Sequence, residues 1–507
     1  MPVKLSDRLE KVRGMNDVLP AEYEAGEAIL ATLKHSFKSF GYHPLGVPVV
    51  EHTDLYLRKA GEDIISRLYD FTFQSRRLCL RPEMTASVIR AYIDNLQASA
   101  LPVRLCYAGP VFRYEKPQRG RHRQFTQAGV ELLGAAGPLA DAEIIALACK
   151  SLDALGLPDY KVVLGHVGIL SRFLEGLQLD SRLRDFLLTN IEVLRTQGPA
   201  AVCDRLPVLF PSLNQPEPQL PGLEGALAEL DESSTRGMVL DLLKSMDIEL
   251  DSFGRSPDEI VSRLAAKIKR RGHLRPRLDQ ALTFLSDLCR LTGAPAQVLQ
   301  EAENLLAGYH LSLEPLHELR AIFETLTSYD LDPSRITLDL GLSRGLQYYT
   351  GMIFEIYHDS PGEESQLCGG GRYDDLVLTL GGRKSVPGCG FAYGLERIQL
   401  AMLDQQRIKI EPQAAQVLVI PVGSAESGYA IRTAEALRKA GLRVEFDVRG
   451  RSVTNNLQYA NGQHIPFVVM AGSDELAAGL LRLKNMSTGA EQHLALADAV
   501  ETILDTK

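Results

Sequence analysis

Gly109-Pro110-Val111-Phe112-Arg113-Tyr114-Glu115-Lys116-Pro117-Gln118-Arg119-Gly120-Arg121-His122-Arg123-Gln124-Phe125-Thr126-Gln127-Ala128-Gly129-Val130-Glu131 is the stretch on which the fold turns. From Leu101 to Leu133, short apolar runs lie on either side of a basic interruption, Lys116 to Arg123. Such patterning predicts two antiparallel strands joined by a long charged loop, because a tight turn has no use for so many cations. The arginines offer forked contacts to phosphate, and Phe125, where the second strand resumes, offers a face on which an adenine can stack. A solvated charged hairpin would read the same way in isolation, so the neighbouring segments decide.

Upstream, Cys79-Leu80-Arg81-Pro82-Glu83-Met84-Thr85 brings a carboxylate and a hydroxyl two residues apart, on one face if the strand continues, where they could fix an ammonium. Downstream, Ser343-Arg344-Gly345-Leu346-Gln347-Tyr348-Tyr349-Thr350-Gly351 sets an arginine beside paired tyrosines ahead of a strand at Met352 to Tyr357. Gly369-Gly370-Gly371 and Gly388-Cys389-Gly390 permit close backbone approach, and Arg397 opens a helix that could meet a nucleotide. Each of these has a plain structural reading; four in this order on one chain say more than any one of them.

Around them, Ile29, Leu30, Leu33 and Phe37 repeat at helical spacing within Glu22 to Phe40, leading to a strand expected over Pro44 to Val50. Between His166 and Tyr329 the pattern turns helical, as in Ile260, Leu264 and Ile268, then Leu282, Leu285 and Leu288, with a proline-rich interruption from Leu206 to Pro221. After the polar segment Arg407 to Ala414, strands at Gln416 to Pro421, Arg443 to Val448 and Phe467 to Ala471 alternate with helices. At 507 residues several domains are expected. Their boundaries are read as 1–168 and 329–403 for the two parts of one core, 169–328 for a helical insertion and 415–507 for a small α/β domain. A net charge of −9 argues against nonspecific nucleic-acid binding but leaves room for a local basic surface. The seven cysteines are scattered without a C-x-x-C pair, so neither metal nor redox chemistry is expected of them, and they read as reduced thiols. No stretch approaches the roughly 20 apolar residues of a membrane span, and the N-terminus lacks a secretory pattern, so a cytoplasmic protein is expected.

In type and order these segments resemble the signature motifs of class II aminoacyl-tRNA synthetases: a strand with Pro48, the Phe-Arg-x-Glu loop at Phe112 to Glu115, and Gly-Leu-Glu-Arg at Gly394 to Arg397. Leu80 to Thr85, Arg344 to Tyr349 and Gly370 to Asp374 resemble the histidine-specific signatures of the histidyl-tRNA synthetases, and Arg13-Gly14-Met15-Asn16-Asp17 resembles that family's opening. The resemblance implies an α+β fold: a class II synthetase-like antiparallel sheet of six or seven strands flanked by helices, a helical insertion, and a C-terminal α/β anticodon-binding-like domain. It implies that Glu83, Thr85, Gln127, Glu131, Tyr348 and Tyr349 surround substrate histidine. A pocket that hydrogen-bonds an imidazole rejects apolar analogues by factors of about 10⁴ or more, without editing. ATP, with Mg2+, would be held by Arg113, Glu115 and Arg121, its purine between Phe125 and Arg397; Arg113 and Arg344 would be catalytic. No metal ligand is implied among the side chains. The implied partners are histidine, ATP, tRNA(His) and a second copy of the chain in an isologous dimer.

The pattern departs in three places. Gln347 stands where the family has Asp. The helix around Val453 to Tyr459 lacks the usual lysines, which predicts weaker and less salt-dependent RNA contact. Leu164 to Leu170, Ala142 to Ile144 and Met84 resemble a paralogue, the regulatory subunit of ATP phosphoribosyltransferase, which binds that enzyme's catalytic subunit and charges no tRNA. A catalytically silent sensor of histidine or uncharged tRNA is the third reading.

Overall fold

The hairpin expected around the basic loop is present, its antiparallel strands Val103–Phe112 and Gln124–Leu133 lying towards one edge of the molecule's main sheet. The computed structural model describes residues 10–58, 66–177, 179–209, 237, 274–342, 348–358, 365–408, 410, 415–423 and 425–505. The chain divides into two units, residues 1–18 with 25–409, and residues 19–24 with 410–507.

In the first unit the described strands are β1 (His43–Pro44), β2 (Val50–His52), β3 (Tyr69–Phe73), β4 (Arg76–Leu80), β5 (Val103–Phe112), β6 (Gln124–Leu133), β7 (Tyr160–His166), β8 (Thr292–Gly293), β9 (Ile336–Asp339), β10 (Met352–His358), β11 (Gln366–Arg372) and β12 (Gly388–Gly394). Nine of them form one sheet in the order β1-β5-β6-β12-β11-β10-β7-β9-β8, and β2-β4-β3 form a small second sheet. From β5 to β7 the six neighbours are all antiparallel. β9 joins β7 in parallel, and the two-residue β1 and β8 extend the edges, which takes the sheet past the six or seven strands expected.

The stretch Pro44 to Val50 is not the continuous strand expected from its residues: β1 ends at Pro44 and β2 begins at Val50. Pro44 and Pro48 have no N–H to give a ladder. The carbonyls of Val47 and Pro48 instead accept from the buried Arg81 guanidinium at 2.6 and 3.0 Å, and the Leu45 N–H reaches the Cys106 carbonyl at 2.8 Å.

Helices cover the sheet where their sequence is apolar. In Pro20–Ser39 the buried side chains include Ile29, Leu30, Leu33 and Phe37, the stripe read from the sequence, and Phe37 meets Phe391 of β12 edge-on at 6.0 Å. Pro138–Ala154 is buried along Ile144 to Cys149, as a helix apolar on all sides must be, and packs beside β11 and β12. The described helices of the expected insertion are Val167–Gly176, Ser181–Thr189, Ile191–Leu209, Leu274–Leu288, Pro295–Gly308 and Glu314–Ser328. Their buried residues, such as Phe173 stacked on Phe284 at 3.8 Å, are continuous with the core under the sheet. Ile260, Leu264 and Ile268, most of the proline-rich segment Leu206 to Pro221, and Pro412 lie outside the described residues.

The second unit contains β13 (Val417–Pro421), β14 (Val444–Phe446), β15 (Phe467–Ala471), β16 (Leu481–Asn485) and β17 (Glu491–Leu494), in the order β14-β13-β15-β16-β17. β13 runs parallel to β14 and β15, the pairing that strand–helix alternation produces. Helix Val453–Gly462 opens on Ser452, whose hydroxyl accepts from the Asn455 N–H. Its buried Asn456 donates to Asp447 at 2.8 Å. All seven cysteines are unpaired, and among the described residues no helix is long and apolar enough to cross a membrane.

Candidate active site

A cleft of about 330 Å³ is lined by residues of β6, β10, β11, β12 and the helix start after it, the β5–β6 loop and the turn after β4. Ten residues nominated from the sequence line it: Glu83, Thr85, Arg113, Glu115, Arg121, Phe125, Gln127, Tyr348, Tyr349 and Arg397. Glu131 lies beneath them, completely buried, and Arg344 and Gln347 lie outside the described residues.

Glu83 and Thr85 reach the cleft by a route that differs from the strand face expected. β4 stops at Leu80, and Thr85 starts helix Thr85–Asn95. The Glu83 carboxylate accepts the Thr85 and Ala86 N–H groups at 2.6 and 2.9 Å, so a capping interaction sets its position. Burial pushes the Glu83 carboxyl above its ordinary range, while those two amides pull it back. Gln127 accepts the Met84 N–H at 3.1 Å, tying this turn to β6.

Behind the turn, the Glu131 carboxylate collects three hydroxyl donors. Thr85 gives 2.7 Å, Tyr107 gives 3.0 Å, and Tyr373 makes a short bond. Complete burial raises the Glu131 carboxyl to about 8, against the pull of those donors. Tyr348 packs on Tyr349 and Tyr373 at ring separations of 4.8 and 5.8 Å, closing this end with aromatic edges. The end is small, enclosed and rich in hydrogen-bonding groups, which suits a polar ring carrying an ammonium.

The other end is cationic. The Arg113 guanidinium stands 5.4 Å from the Phe125 ring and donates to the Pro82 carbonyl at 2.8 Å. Glu115 binds Arg67 at 2.8 Å and makes a short pair with Arg121. Burial acts to raise the Glu115 carboxyl, but Arg121 and Arg113 outweigh it and hold it low and charged. Arg397 donates to the backbone and side chain of Gln366 at 2.8 and 3.2 Å, and Gln366 donates on to Glu355 at 2.6 Å. Of the cleft carboxylates, Glu396 accepts the Thr126 N–H, and Glu355 also accepts from Tyr357. Among the described residues no group of three or more His, Cys, Asp or Glu side chains is placed to hold a metal.

The glycines have the reason read from sequence. A Cβ on Gly371 would stand 2.8 Å from the Tyr349 ring, and one on Gly390 only 1.9 Å from a Glu131 oxygen. Arg67, Tyr107, Glu355 and Gln366 were not nominated. Tyr107 and Gln366 sit beside motifs that were, but nothing local in Arg67 says that the fold brings it to Glu115.

With this geometry in hand, comparison with known proteins is specific. The histidyl-tRNA synthetase family model matches residues 14–232 and 258–398, and that of the anticodon binding domain matches 416–506. A histidine--tRNA ligase of Methanocaldococcus jannaschii is 31% identical over 490 residues, 96% of this chain and 97% of that protein. One from Methanococcus maripaludis is 30% identical over 492 residues, 96% of this chain and 98% of its own length. Among solved structures, an ATP phosphoribosyltransferase regulatory subunit/histidyl-tRNA synthetase from Bacillus halodurans superposes with a TM-score of 0.63. It covers 92% of this chain and 100% of its own at 24% identity, a likeness of fold alone.

Proposed function

This chain belongs to the histidyl-tRNA synthetase family, and from that premise we propose that it is a histidine--tRNA ligase, joining histidine to ATP as histidyl-adenylate and passing the histidyl group to tRNA(His). The observation that carries the reading is the two-ended cleft, with hydrogen-bonding carboxylates, a hydroxyl and tyrosines at one end and arginines with an aromatic face at the other.

In this reading Glu83, Thr85, Gln127 and Tyr349 bind histidine, with Glu131 and Tyr348 shaping the floor. Thr85 and Gln127 are held by Glu131 and the Met84 N–H, so little ordering is left for the moment of binding. Arg113 and Arg121 take the phosphates, with Glu115 holding Arg121 in place. Phe125 and Arg397 flank the purine. Histidine's carboxylate is already ionised, so no protein base is required; the chain's work is to align it with the α-phosphorus and to stabilise the developing charge through Arg113 and Arg344. Magnesium would arrive on the phosphates of ATP and offset the charge of the departing pyrophosphate. The tRNA's terminal ribose hydroxyl then attacks the acyl carbon of the adenylate, forming the ester as the acyl–phosphate bond breaks and AMP leaves with release of the hydroxyl proton.

The domain division at 168, 328, 403 and 415, the use of the second unit to read the anticodon, a cytoplasmic location and a homodimer belong to the same proposal. Val50, Phe71 and Phe73 on the small sheet are 43, 42 and 60% exposed, which supports pairing through that face. The test is exchange of labelled pyrophosphate into ATP across a panel of amino acids. Exchange that depends on histidine alone is expected; exchange driven equally well by another amino acid, or by none, would overturn the assignment.

A further inference from the structure

The N-terminal segment Arg13 to Asn16 is not part of the cleft lining, yet it is built onto the loop that carries the phosphate-binding arginines. The Gly14 carbonyl accepts the Arg123 N–H at 2.9 Å, and the Arg13 carbonyl accepts the Arg123 guanidinium at 3.0 Å. The Asn16 side-chain amide donates to His122 Nδ1 at 3.0 Å. Arg123 passes the restraint on: its Nε donates to the Glu115 carbonyl at 3.0 Å, its carbonyl accepts the Arg113 N–H at 2.8 Å, and its guanidinium lies 3.9 Å from the centre of the Tyr114 ring. Glu115 in turn holds Arg121. Every link from the segment to the two phosphate arginines is therefore a direct contact.

Gly14 is the tightest point. Its φ of +83° is one that side-chain-bearing residues rarely adopt, and an added Cβ would stand 2.8 Å from Arg123 Cδ and 2.9 Å from Pro117 Cγ. The contact thus requires glycine for conformation and for space together. The segment's contacts here are with Arg123, His122 and Pro117 and with none of Glu83, Thr85, Gln127 and Glu131, so it can bias ATP binding without touching those histidine-side residues.

We propose that Gly14 and Asn16 are positioning residues for ATP: the Arg13–Asn16 segment straps the 113–123 loop, through Arg123 and Glu115, in the conformation that presents Arg113 and Arg121 to the phosphates. This rests on the reading of those arginines given under the proposed function. The test uses the full chain carrying Gly14→Ala or Asn16→Ala, and follows pyrophosphate exchange alongside amide hydrogen exchange of the ligand-free protein. The strap predicts a KM for ATP raised about tenfold in Gly14→Ala, less in Asn16→Ala, with the KM for histidine within about twofold of the parent. It also predicts faster exchange at the Arg123 amide, with protection of β5 and β6 retained. Unchanged ATP dependence would overturn the proposal, and so would equal increases in both KM values with a lowered melting temperature, since that marks general destabilisation. If the parent protein itself catalyses no exchange, the proposed function fails; the strap is then judged by the Arg123 amide alone, which an intact strap protects in the parent and loses in Gly14→Ala.

Discussion

Replacing Gly390 by alanine should damage both stability and histidine binding, by an amount that follows from the packing around one atom. The new Cβ would stand 1.9 Å from Glu131 Oε2 and 2.4 Å from the Val130 carbonyl oxygen. The β12 backbone cannot retreat, because Gly390 is paired with Gly371 on one side and Glu131 on the other. The carboxylate must therefore swing away from the hydroxyls of Thr85, Tyr107 and Tyr373. Thr85 borders the cleft and can turn to water, but Tyr107 and Tyr373 are buried, and each orphaned hydroxyl costs about 1–3 kcal/mol. The crowding at Val130 adds about 1–3 kcal/mol. A loss of about 3–9 kcal/mol is a large share of an ordinary domain's stability. Urea unfolding of the first unit, with calorimetric titration of histidine, measures both effects. Gly308→Ala, where no atom lies within 4 Å of the new Cβ, is the control and should be neutral or slightly stabilising. A Gly390→Ala protein with the parent's urea midpoint and histidine affinity would refute the reasoning.

Two other outcomes are expected. Because burial raises the Glu131 carboxyl from its ordinary value to about 8, the folded state holds that proton more tightly than the unfolded state, and the ligand-free protein should lose stability as pH rises between about 4.5 and 8, by something on the order of 5 kcal/mol. Glu131→Gln removes this titration, so the difference in unfolding free energy between parent and variant should fall across that window; a difference independent of pH would contradict the buried acid. Glu115→Gln should weaken ATP binding about tenfold to a hundredfold, the worth of a charge-assisted hydrogen bond of about 1.5–3 kcal/mol, and leave histidine binding as it was. Calorimetry with each ligand decides it, and an unaltered ATP affinity would remove Glu115 from the nucleotide end.

The sequence was informative where chemistry is local. Short apolar runs announced β5 and β6, the basic run between them announced a loop rather than a turn, and the stripe Ile29, Leu30, Leu33 and Phe37 announced the helix that covers β12. It misled where backbone polar groups are satisfied from a distance. Arg81 draws in the Val47 and Pro48 carbonyls and breaks the expected strand, a partnership between residues 33 and 34 positions apart that no local pattern encodes. In the same way Glu83 and Thr85 converge through a helix start, not a strand face. Arg67 on Glu115 and Tyr373 on Glu131 are legible only once the sheet order is known, since that order sets distant segments side by side. The Gly14 contact with Arg123, across more than a hundred residues, is of the same kind.

The central claim is the transfer of histidine to tRNA, and the measurement that meets it most directly is ATP-dependent attachment of labelled histidine to a tRNA(His) transcript by the full chain. The account predicts stable acid-precipitable histidine on tRNA(His) and none on a noncognate transcript. No charged tRNA, together with a gain in activity when the chain is mixed with an ATP phosphoribosyltransferase catalytic subunit, would contradict it and assign the chain to regulation of histidine biosynthesis.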